Sequence, residues 1–177
     1  DGISIKQRPL EAKARLAYIP DNPDLYDFLS GIKYLEFIAD VFGIDGDLRK
    51  ERIDRYAEMF GLKGDLANKI GTYSHGMKQK LAVISALLHE PRLMMLDEPF
   101  VGLDPVATHQ LKNLMREMCD RGSAIFFSTH ILEVAEKLCD QVIIIRKGKI
   151  VVSGTMEEVK GDTSLEDVFL ELEEKNV

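Results

Sequence analysis

The feature that most constrains the fold of this chain is the stretch from Tyr73 to Pro105, which reads YSHGMKQKLAVISALLHEPRLMMLDEPFVGLDP. A polar helix start leads into an apolar helix, and an apolar strand over Leu93–Leu96 then runs into the acidic pair Asp97-Glu98. In α/β proteins, ligands bind at the carboxyl ends of parallel strands. There, one carboxylate can hold Mg²⁺ while the next positions or deprotonates a water molecule. The stretch therefore predicts a buried strand that carries two carboxylates to a binding edge, an arrangement suited to nucleotide hydrolysis.

Residues 30–90 are expected to be mainly helical. Ser30 is a suitable N-cap for a first helix, Leu48–Phe60 has the pattern of a second amphipathic helix, and a third helix begins near Ser74 and ends before Pro91. Because no β-type run interrupts this region, we expect it to form a helical part of the fold.

The rest of the chain predicts a mostly parallel sheet. Continuous apolar runs that alternate with helices are typical of parallel strands buried on both faces. We therefore expect a doubly covered sheet. The predicted strands are Leu16–Ile19, Leu93–Leu96, Ala124–Phe127, Val142–Ile145 and Ile150–Val152, and the predicted helices between them cover about 106–121 and 131–139.

Three helix starts can be predicted from local chemistry. Asp104 followed by Pro105 is a good N-cap with proline at the first helical position. Thr155 and Glu158 have the spacing of a capping box. Ser164 opens a last amphipathic helix, SLEDVFLELEEK.

Composition narrows the class of protein. The length of 177 residues fits one domain, or one domain with a subdomain, and 45% apolar residues suffice for a core. The net charge of −7 argues against a nucleic-acid partner. No apolar run approaches the ~20 residues that span a bilayer, so we expect any membrane link to come through a partner.

Cys119 and Cys139 lack metal or redox spacing, which predicts reduced cysteines buried in helices.

Two further signals point to the same kind of site, although each has a simpler explanation. His130 follows the end of a second predicted strand, where it would face the same edge, but a lone histidine there is more often a capping or surface residue. Ser74 and Gly76 begin a helix whose N–H groups could bind an anion, or they could form a plain cap. Asp97-Glu98 alone could be an ordinary strand-to-loop transition.

The 177 residues contain no G-x-x-x-x-G-K-[ST] phosphate loop.

Taken in order, these segments resemble the ATP-binding cassette (ABC) family in sequence and spacing. YSHGM resembles the signature motif, usually LSGGQ; LMMLDE resembles the Walker B strand; GLDP resembles the D-loop; and the histidine of STH resembles the switch histidine. YIPDNPDLY resembles the Q-loop region, and VIIIRKGKIVVSGT and SLEDVFLEL resemble the end of the cassette. The resemblance implies a P-loop NTPase-like (RecA-like) α/β fold with an ABC helical subdomain. It divides the chain into a core remnant with the Q-loop region (1–29), the helical subdomain (30–90) and the RecA-like core (91–177).

The resemblance also implies roles for individual residues, with ATP and Mg²⁺ as cofactors. Asp97 would help to hold Mg²⁺, Glu98 would be the general base for the attacking water, and His130 would sense the γ-phosphate. Ser74 and Gly76 would contact the γ-phosphate of a nucleotide held by a second cassette.

Other positions organise the interface or depart from the family pattern. Asp104 would organise the dimer interface. Asp21 stands where the family usually has glutamine; it could approach Mg²⁺ but cannot donate a hydrogen bond when ionised. Tyr73, His75 and Met77 replace the usual Leu, Gly and Gln of the signature. We expect altered interface chemistry rather than loss of it.

The largest departure concerns the start of the sequence. DGISIK resembles a segment that follows the phosphate loop, so the resemblance implies that the first strands, the adenine-stacking aromatic residue and Walker A are missing. We expect this chain alone to bind ATP weakly or not at all. Because uncovered strand edges and apolar faces invite pairing, we also expect it to self-associate or to have a partly rearranged β-region.

The resulting hypothesis is an ATPase subunit of a membrane ABC transporter. It would be cytoplasmic, peripheral on the inner face of the membrane, and partnered by a second cassette and a transmembrane permease, with no nucleic acid bound. The segment SLEDVFLEL favours export over import. Two alternatives stay open: a soluble ABC ATPase acting on nucleic acid or ribosomes, and a non-catalytic cassette that donates Ser74, Gly76 and Asp104 to a partner's nucleotide.

Overall fold

The computed structural model describes residues 2–174, which form two compact units. The first unit ends at Ser128 and the second begins at Thr129. Each unit contains its own sheet, one of three strands and one of two.

The helices of the first unit form largely where the sequence predicts them. They are α1 (Pro9–Lys13), α2 (Gly31–Val41), α3 (Gly46–Met59), α4 (His75–Leu87) and α5 (Pro105–Asp120), with short 3₁₀ turns at Lys63–Asp65 and Ile70–Thr72. Side-chain N-caps fix the starts of α2 and α3: Ser30 accepts the N–H of Lys33, and Asp45 accepts that of Leu48. The cap at Asp45 starts α3 two residues before the predicted Leu48.

The sheet of the first unit is parallel, as predicted. Its strands are β1 (Leu16–Ile19), β2 (Leu93–Asp97) and β3 (Ala124–Ser128), in the order β1-β2-β3. Asp97 pairs in register with Ser128. All three strands point the same way, so their carboxyl ends lie at one edge of the sheet.

Only one face of this sheet is fully buried. Ala17, Met94 and Leu96 belong to the buried face, with exposed fractions of 6%, 0% and 3%. On the opposite face Tyr18 is 62% exposed and Phe126 57% exposed. The expectation of a doubly covered sheet is therefore wrong for residues 2–174. Because apolar residues lie on both faces, the sequence pattern predicts strands that are buried on both sides. No described element covers the second face completely.

One histidine connects three elements of the first unit. The His89 ring stacks on Phe42, just after α2, with the ring centroids 3.7 Å apart. Its Nε2 lies 2.9 Å from the carbonyl oxygen of Leu16 at the start of β1, which makes Nε2 the donor. Burial lowers the pKa of His89, so the folded state favours the neutral ring.

The second unit contains a β-hairpin and three helices. It comprises α6 (Leu132–Leu138), β4 (Gln141–Arg146), β5 (Lys149–Thr155), α7 (Met156–Lys160) and α8 (Leu165–Glu174). Ala135, Ile144, Met156 and Leu165 form its core. The Thr155–Glu158 capping box is present, and Ser164 accepts the N–H of Asp167 at the start of α8, which confirms both predicted starts.

Strand β4 is the main departure from the predicted topology. Grouped with the parallel strands by its apolar run, it pairs instead antiparallel with β5. The cause is the two-residue turn at Lys147 and Gly148, where both residues have positive φ, 48° and 76°. Such a turn joins adjacent strands into a hairpin.

The cysteines also differ from the prediction. Cys119 lies on α5 but is exposed, because the buried side of α5 is formed by Leu111, Leu114, Met115 and Met118. Cys139 is half-buried just after α6, and burial raises the pKa of its thiol to about 11.

None of the described helices combines the length and the apolar character that crossing a membrane requires.

Candidate functional site

The carboxyl ends of β2 and β3 hold the first candidate residue. Asp97 closes β2, is half-buried, and pairs in register with Ser128 at the end of β3. The Ser128 hydroxyl donates a hydrogen bond to Oδ1 of the Asp97 carboxylate. The strand register brings the two residues side by side, and the Ser128 hydroxyl then orients one oxygen of the Asp97 carboxylate.

Glu98, the predicted general base, has an unusual backbone conformation. Its φ is +46°, in the left-handed region that residues other than glycine rarely adopt. Its N–H donates to the carbonyl oxygen of Ser128 at 3.2 Å, and its own carbonyl accepts the N–H of Val101 at 3.1 Å. Such a conformation costs on the order of 1–3 kcal/mol and is concentrated at active sites. The amino-acid types around Glu98 do not predict this left-handed backbone.

A second group forms where the start of α4 meets the loop after β2. A Cβ added at Gly76 would overlap the carbonyl oxygen of Gly102, so only glycine fits this approach. At Gly102, whose φ is +77°, an added Cβ would lie 2.5 Å from Cδ2 of His75. Ser74 caps α4 by accepting the N–H of Met77 at 3.2 Å. The two predicted loops are therefore packed together.

An ion pair links the same two elements. Lys80 Nζ on α4 lies 2.6 Å from Oδ2 of Asp104, and Oδ1 of Asp104 accepts the N–H of Ala107 at 2.9 Å as the N-cap of α5. The hydrogen bond from Lys80, and then the one from Ala107, hold the pKa of Asp104 below its ordinary value. Asp104 is consequently a charged residue tied to the helix that begins after Ser74.

Two further predicted residues, Asp21 and His130, are exposed. Asp21 is exposed and follows β1 by two residues, so the strand direction puts it at the same edge of the sheet as Asp97. His130 is exposed and follows Ser128 by two residues, but it belongs to the second unit.

Sequence reasoning missed Ser128 and Lys80. Ser128 could have been found, because it ends a predicted strand beside the Asp97 strand and a parallel register aligns the two strand ends. Lys80 had no local signal, since its partner Asp104 is 24 residues away and the contact depends on tertiary packing.

Asp97 could supply a carboxylate to Mg²⁺ that is bound together with a phosphate-bearing ligand. Among residues 2–174, no cluster of three or more His, Cys, Asp or Glu side chains could hold a metal ion. Mg²⁺ commonly binds through one or two carboxylates plus substrate phosphates and water. The half-buried Asp97, with one oxygen fixed by Ser128, meets that requirement.

Comparisons with known proteins give a consistent result. A family model described as "AAA domain, putative AbiEii toxin, Type IV TA system" matches residues 2–136. An ABC transporter ATP-binding protein of Nostoc is 36% identical over 151 residues, which are 84% of this chain and 45% of that protein. The ABC-type transporter ATP-binding protein EcsA of Bacillus subtilis is 34% identical, over 97% of this chain and 72% of that protein.

A solved structure agrees with these relatives. An ATP-binding subunit of an ABC transporter superposes with a TM-score of 0.91 at 34% identity, covering 97% of this chain and 74% of that one. The chain spans about half the length of the Nostoc relative, at 45%. On the strength of sequence and fold together, this chain belongs to the family of ABC transporter ATP-binding proteins.

Proposed function

We propose that this chain is the ATP-hydrolysing part of a membrane transporter. The observation that carries the proposal is the acidic pair at the end of β2, where the Asp97 carboxylate accepts from the Ser128 hydroxyl and the backbone N–H of Glu98 donates to the Ser128 carbonyl oxygen. Asp97 helps to hold Mg²⁺, and Glu98 accepts the proton of the attacking water. Mg²⁺, when bound, neutralises charge on the phosphate groups during transfer.

The left-handed backbone of Glu98 supports its assignment as the base. A side chain on a backbone fixed by hydrogen bonds at both its N–H and its C=O has fewer directions available. A positioned general base contributes roughly 10²–10⁴-fold to the rate. In the same proposal, His130 senses the γ-phosphate and Asp21 approaches the Mg²⁺.

The α4 start and the loop after β2 are proposed to act on a nucleotide held by a second cassette. Ser74 and Gly76 lie at the amino terminus of a 13-residue helix, where N–H groups and the helix dipole favour an anion. Asp104, held by Lys80, faces the same interface. The packing of His75 and Gly76 against Gly102 joins these parts, so that they act as one surface.

A cluster of aromatic side chains supports a permease as partner. Tyr26 packs with Phe28, Tyr34 and Phe37, with ring centroids about 6 Å apart, and Phe28 is 75% exposed. Exposed aromatic patches are typical of protein interfaces. We propose that the permease docks here, which would make the chain peripheral on the cytoplasmic face of the membrane. The resemblance of α8 to exporter cassettes favours export.

We also propose that these 177 residues alone bind ATP weakly and associate with themselves. They contain no glycine-rich Lys-Ser/Thr loop, and within residues 2–174 no strand pairs with the outer edge of β3. A cassette that acts only in trans remains the second candidate, because Ser74, Gly76 and Asp104 are assembled within this chain. Calorimetry with Mg-ATP tests the first point, and micromolar binding by the isolated chain would contradict it.

Substitution of Glu98→Gln in the intact transporter tests the proposed catalytic role. We expect nucleotide binding to persist and ATP turnover to fall by roughly 10²–10⁴-fold, because glutamine cannot accept the proton. The matched control is Glu90→Gln, since Glu90 also has a left-handed backbone, with φ +49°, but lies at the amino-terminal end of β2. Full turnover by the Glu98 variant would remove this residue from the mechanism.

A further inference from the structure

We infer that the hydroxyl of Ser128 makes it a positioning residue for the Asp97 carboxylate at the end of β2, beside the backbone bond that Ser128 shares with Glu98. The inference rests on the proposed roles of Asp97 and Glu98. Ser128 contacts each of them through a different group: its hydroxyl donates to the Asp97 carboxylate, and its carbonyl oxygen accepts the N–H of Glu98 at 3.2 Å. One residue on the neighbouring strand therefore contacts the Asp97 carboxylate through its side chain and the Glu98 backbone through its main chain.

The hydroxyl bond fixes the orientation of the Asp97 carboxylate. An ionised carboxylate only accepts hydrogen bonds, so the serine hydroxyl must be the donor. Hydrogen bonds to a charged acceptor are stronger than neutral ones. With Oδ1 held in this way, Oδ2 would be the oxygen available to hold a cation or its water.

The backbone bond has a separate effect. The N–H of Glu98 continues the β2–β3 pairing one residue beyond the last strand residue, Asp97. This bond supports the left-handed turn at Glu98, whose φ is +46°. Because it uses only main-chain atoms, replacing the Ser128 side chain keeps it. A side-chain substitution therefore removes the bond to Asp97 alone.

Packing does not explain a serine at this position. Ser128 is exposed and lies on the same face of β3 as Phe126, which is 57% exposed. A hydroxyl on this open face fills no cavity and has Asp97 as its described side-chain partner. Its contribution is therefore to the acidic pair rather than to the core.

The test uses Ser128→Ala and Ser128→Thr in the intact transporter. The first readout is the Mn²⁺ affinity of the ATP complex, measured by electron paramagnetic resonance in a Glu98→Gln background, where turnover is removed. We expect Ser128→Ala to weaken Mn²⁺ binding about three- to tenfold, as the net loss of one ordinary hydrogen bond implies. Threonine keeps the hydroxyl and restores the affinity. With Glu98 intact, the Mg²⁺ concentration for half-maximal ATPase should shift in parallel.

The matched control is Ser123→Ala. Ser123 precedes the opposite end of β3, where its hydroxyl donates to the carbonyl oxygen of Pro91 at 3.1 Å. Ser123→Ala also removes a serine hydroxyl, but at the end of β3 away from Asp97 and Glu98, so the Mn²⁺ affinity should not change. If Ser128→Ala does not fold, Ser128→Cys, with its weaker donor, carries the same expectation.

The outcomes separate this inference from the proposed function. If Asp97→Asn weakens Mn²⁺ binding while Ser128→Ala binds like the parent, the inference is wrong and the role of Asp97 stands. If Asp97→Asn itself leaves Mn²⁺ binding unchanged, the proposed metal role of Asp97 fails. A purely structural serine would lower the melting temperature without changing metal affinity, which also contradicts the inference.

Discussion

At the scale of single residues, two glycines allow the start of α4 to contact the loop after β2. Gly76 leaves room for the carbonyl oxygen of Gly102, and Gly102 leaves room for the ring of His75. The family resemblance assigns Gly76 to phosphate contact, but the structure gives it a packing role as well. Glycine at position 76 is therefore required for this packing whether or not a nucleotide is bound.

We predict that Gly102→Ala destabilises the chain for two separable reasons. Alanine at φ +77° costs about 1–2 kcal/mol in backbone strain, and its Cβ would also collide with His75. In a His75→Gly background only the strain should remain. The loss of unfolding free energy caused by Gly102→Ala, measured in urea, should therefore be smaller in that background by at least about 0.5 kcal/mol. Gly122→Ala is the control, because Gly122 has φ +88° but open space around it. Equal losses at Gly102 and Gly122 would exclude the collision.

At the scale of elements, His89 joins α2, α4 and β1 through its stack on Phe42 and its bond to Leu16. Burial lowers the pKa of His89 below the ordinary 6.5. The unfolded chain then binds more protons than the folded one. The stabilising contribution is therefore complete above pH 6.5 and is lost as the pH falls from 6.5 through the lowered value.

We accordingly predict that the free energy of unfolding decreases as the pH falls below about 6.5, by up to ~1.4 kcal/mol per pH unit for one proton. Replacing His89→Gln should flatten this dependence while lowering stability at neutral pH. His109→Gln serves as control, since His109 is exposed on α5. An unchanged pH profile in the His89 variant would show that its protonation does not contribute.

The β4–β5 hairpin allows a stabilising substitution. Lys147 has φ +48°, a conformation that asparagine adopts more readily than lysine. With Gly148 next in the turn, Lys147→Asn creates the Asn-Gly pair that two-residue hairpins prefer. We predict a gain of up to about 1 kcal/mol in the free energy of unfolding, because asparagine relieves part of the left-handed backbone penalty of about 1–2 kcal/mol. Lys149→Asn, inside β5, should not stabilise, because asparagine is disfavoured in strands.

Local chemistry made the elements predictable, whereas their partners depended on tertiary structure. The caps at Ser30, Ser74 and Asp104 were identified because each acts within three residues of itself. The pairing of β4 was missed because an apolar run does not specify its neighbour, although Lys147-Gly148 was a usable turn signal. The Lys80–Asp104 ion pair and the backbone of Glu98 had no local signal at all.

At the scale of the whole molecule, one face of the three-stranded sheet stays open. The same apolar residues that led to the prediction of a doubly covered sheet, such as Tyr18 and Phe126, are the ones exposed. The pattern of the sequence thus identified a surface suited to burial, and the described residues do not complete that burial.

We predict that Phe126→Glu reduces self-association of the isolated chain. A carboxylate on the open face adds a desolvation cost to any contact there. The mean mass from light scattering should fall, with little change in the melting temperature, because Phe126 is 57% exposed. Leu10→Glu, on α1 and 82% exposed, should leave the mass unchanged. A monomeric parent chain would contradict the proposal of self-association directly.

The left-handed backbone at Glu98 has a consequence for protein engineering. A mutant library selected only for heat resistance should accumulate glycine or asparagine at position 98, because either residue relieves the strain there. If Glu98 is the general base proposed above, a library selected for transport should retain glutamate. Thermostability design that treats position 98 as an ordinary turn would then gain stability and lose the proposed base.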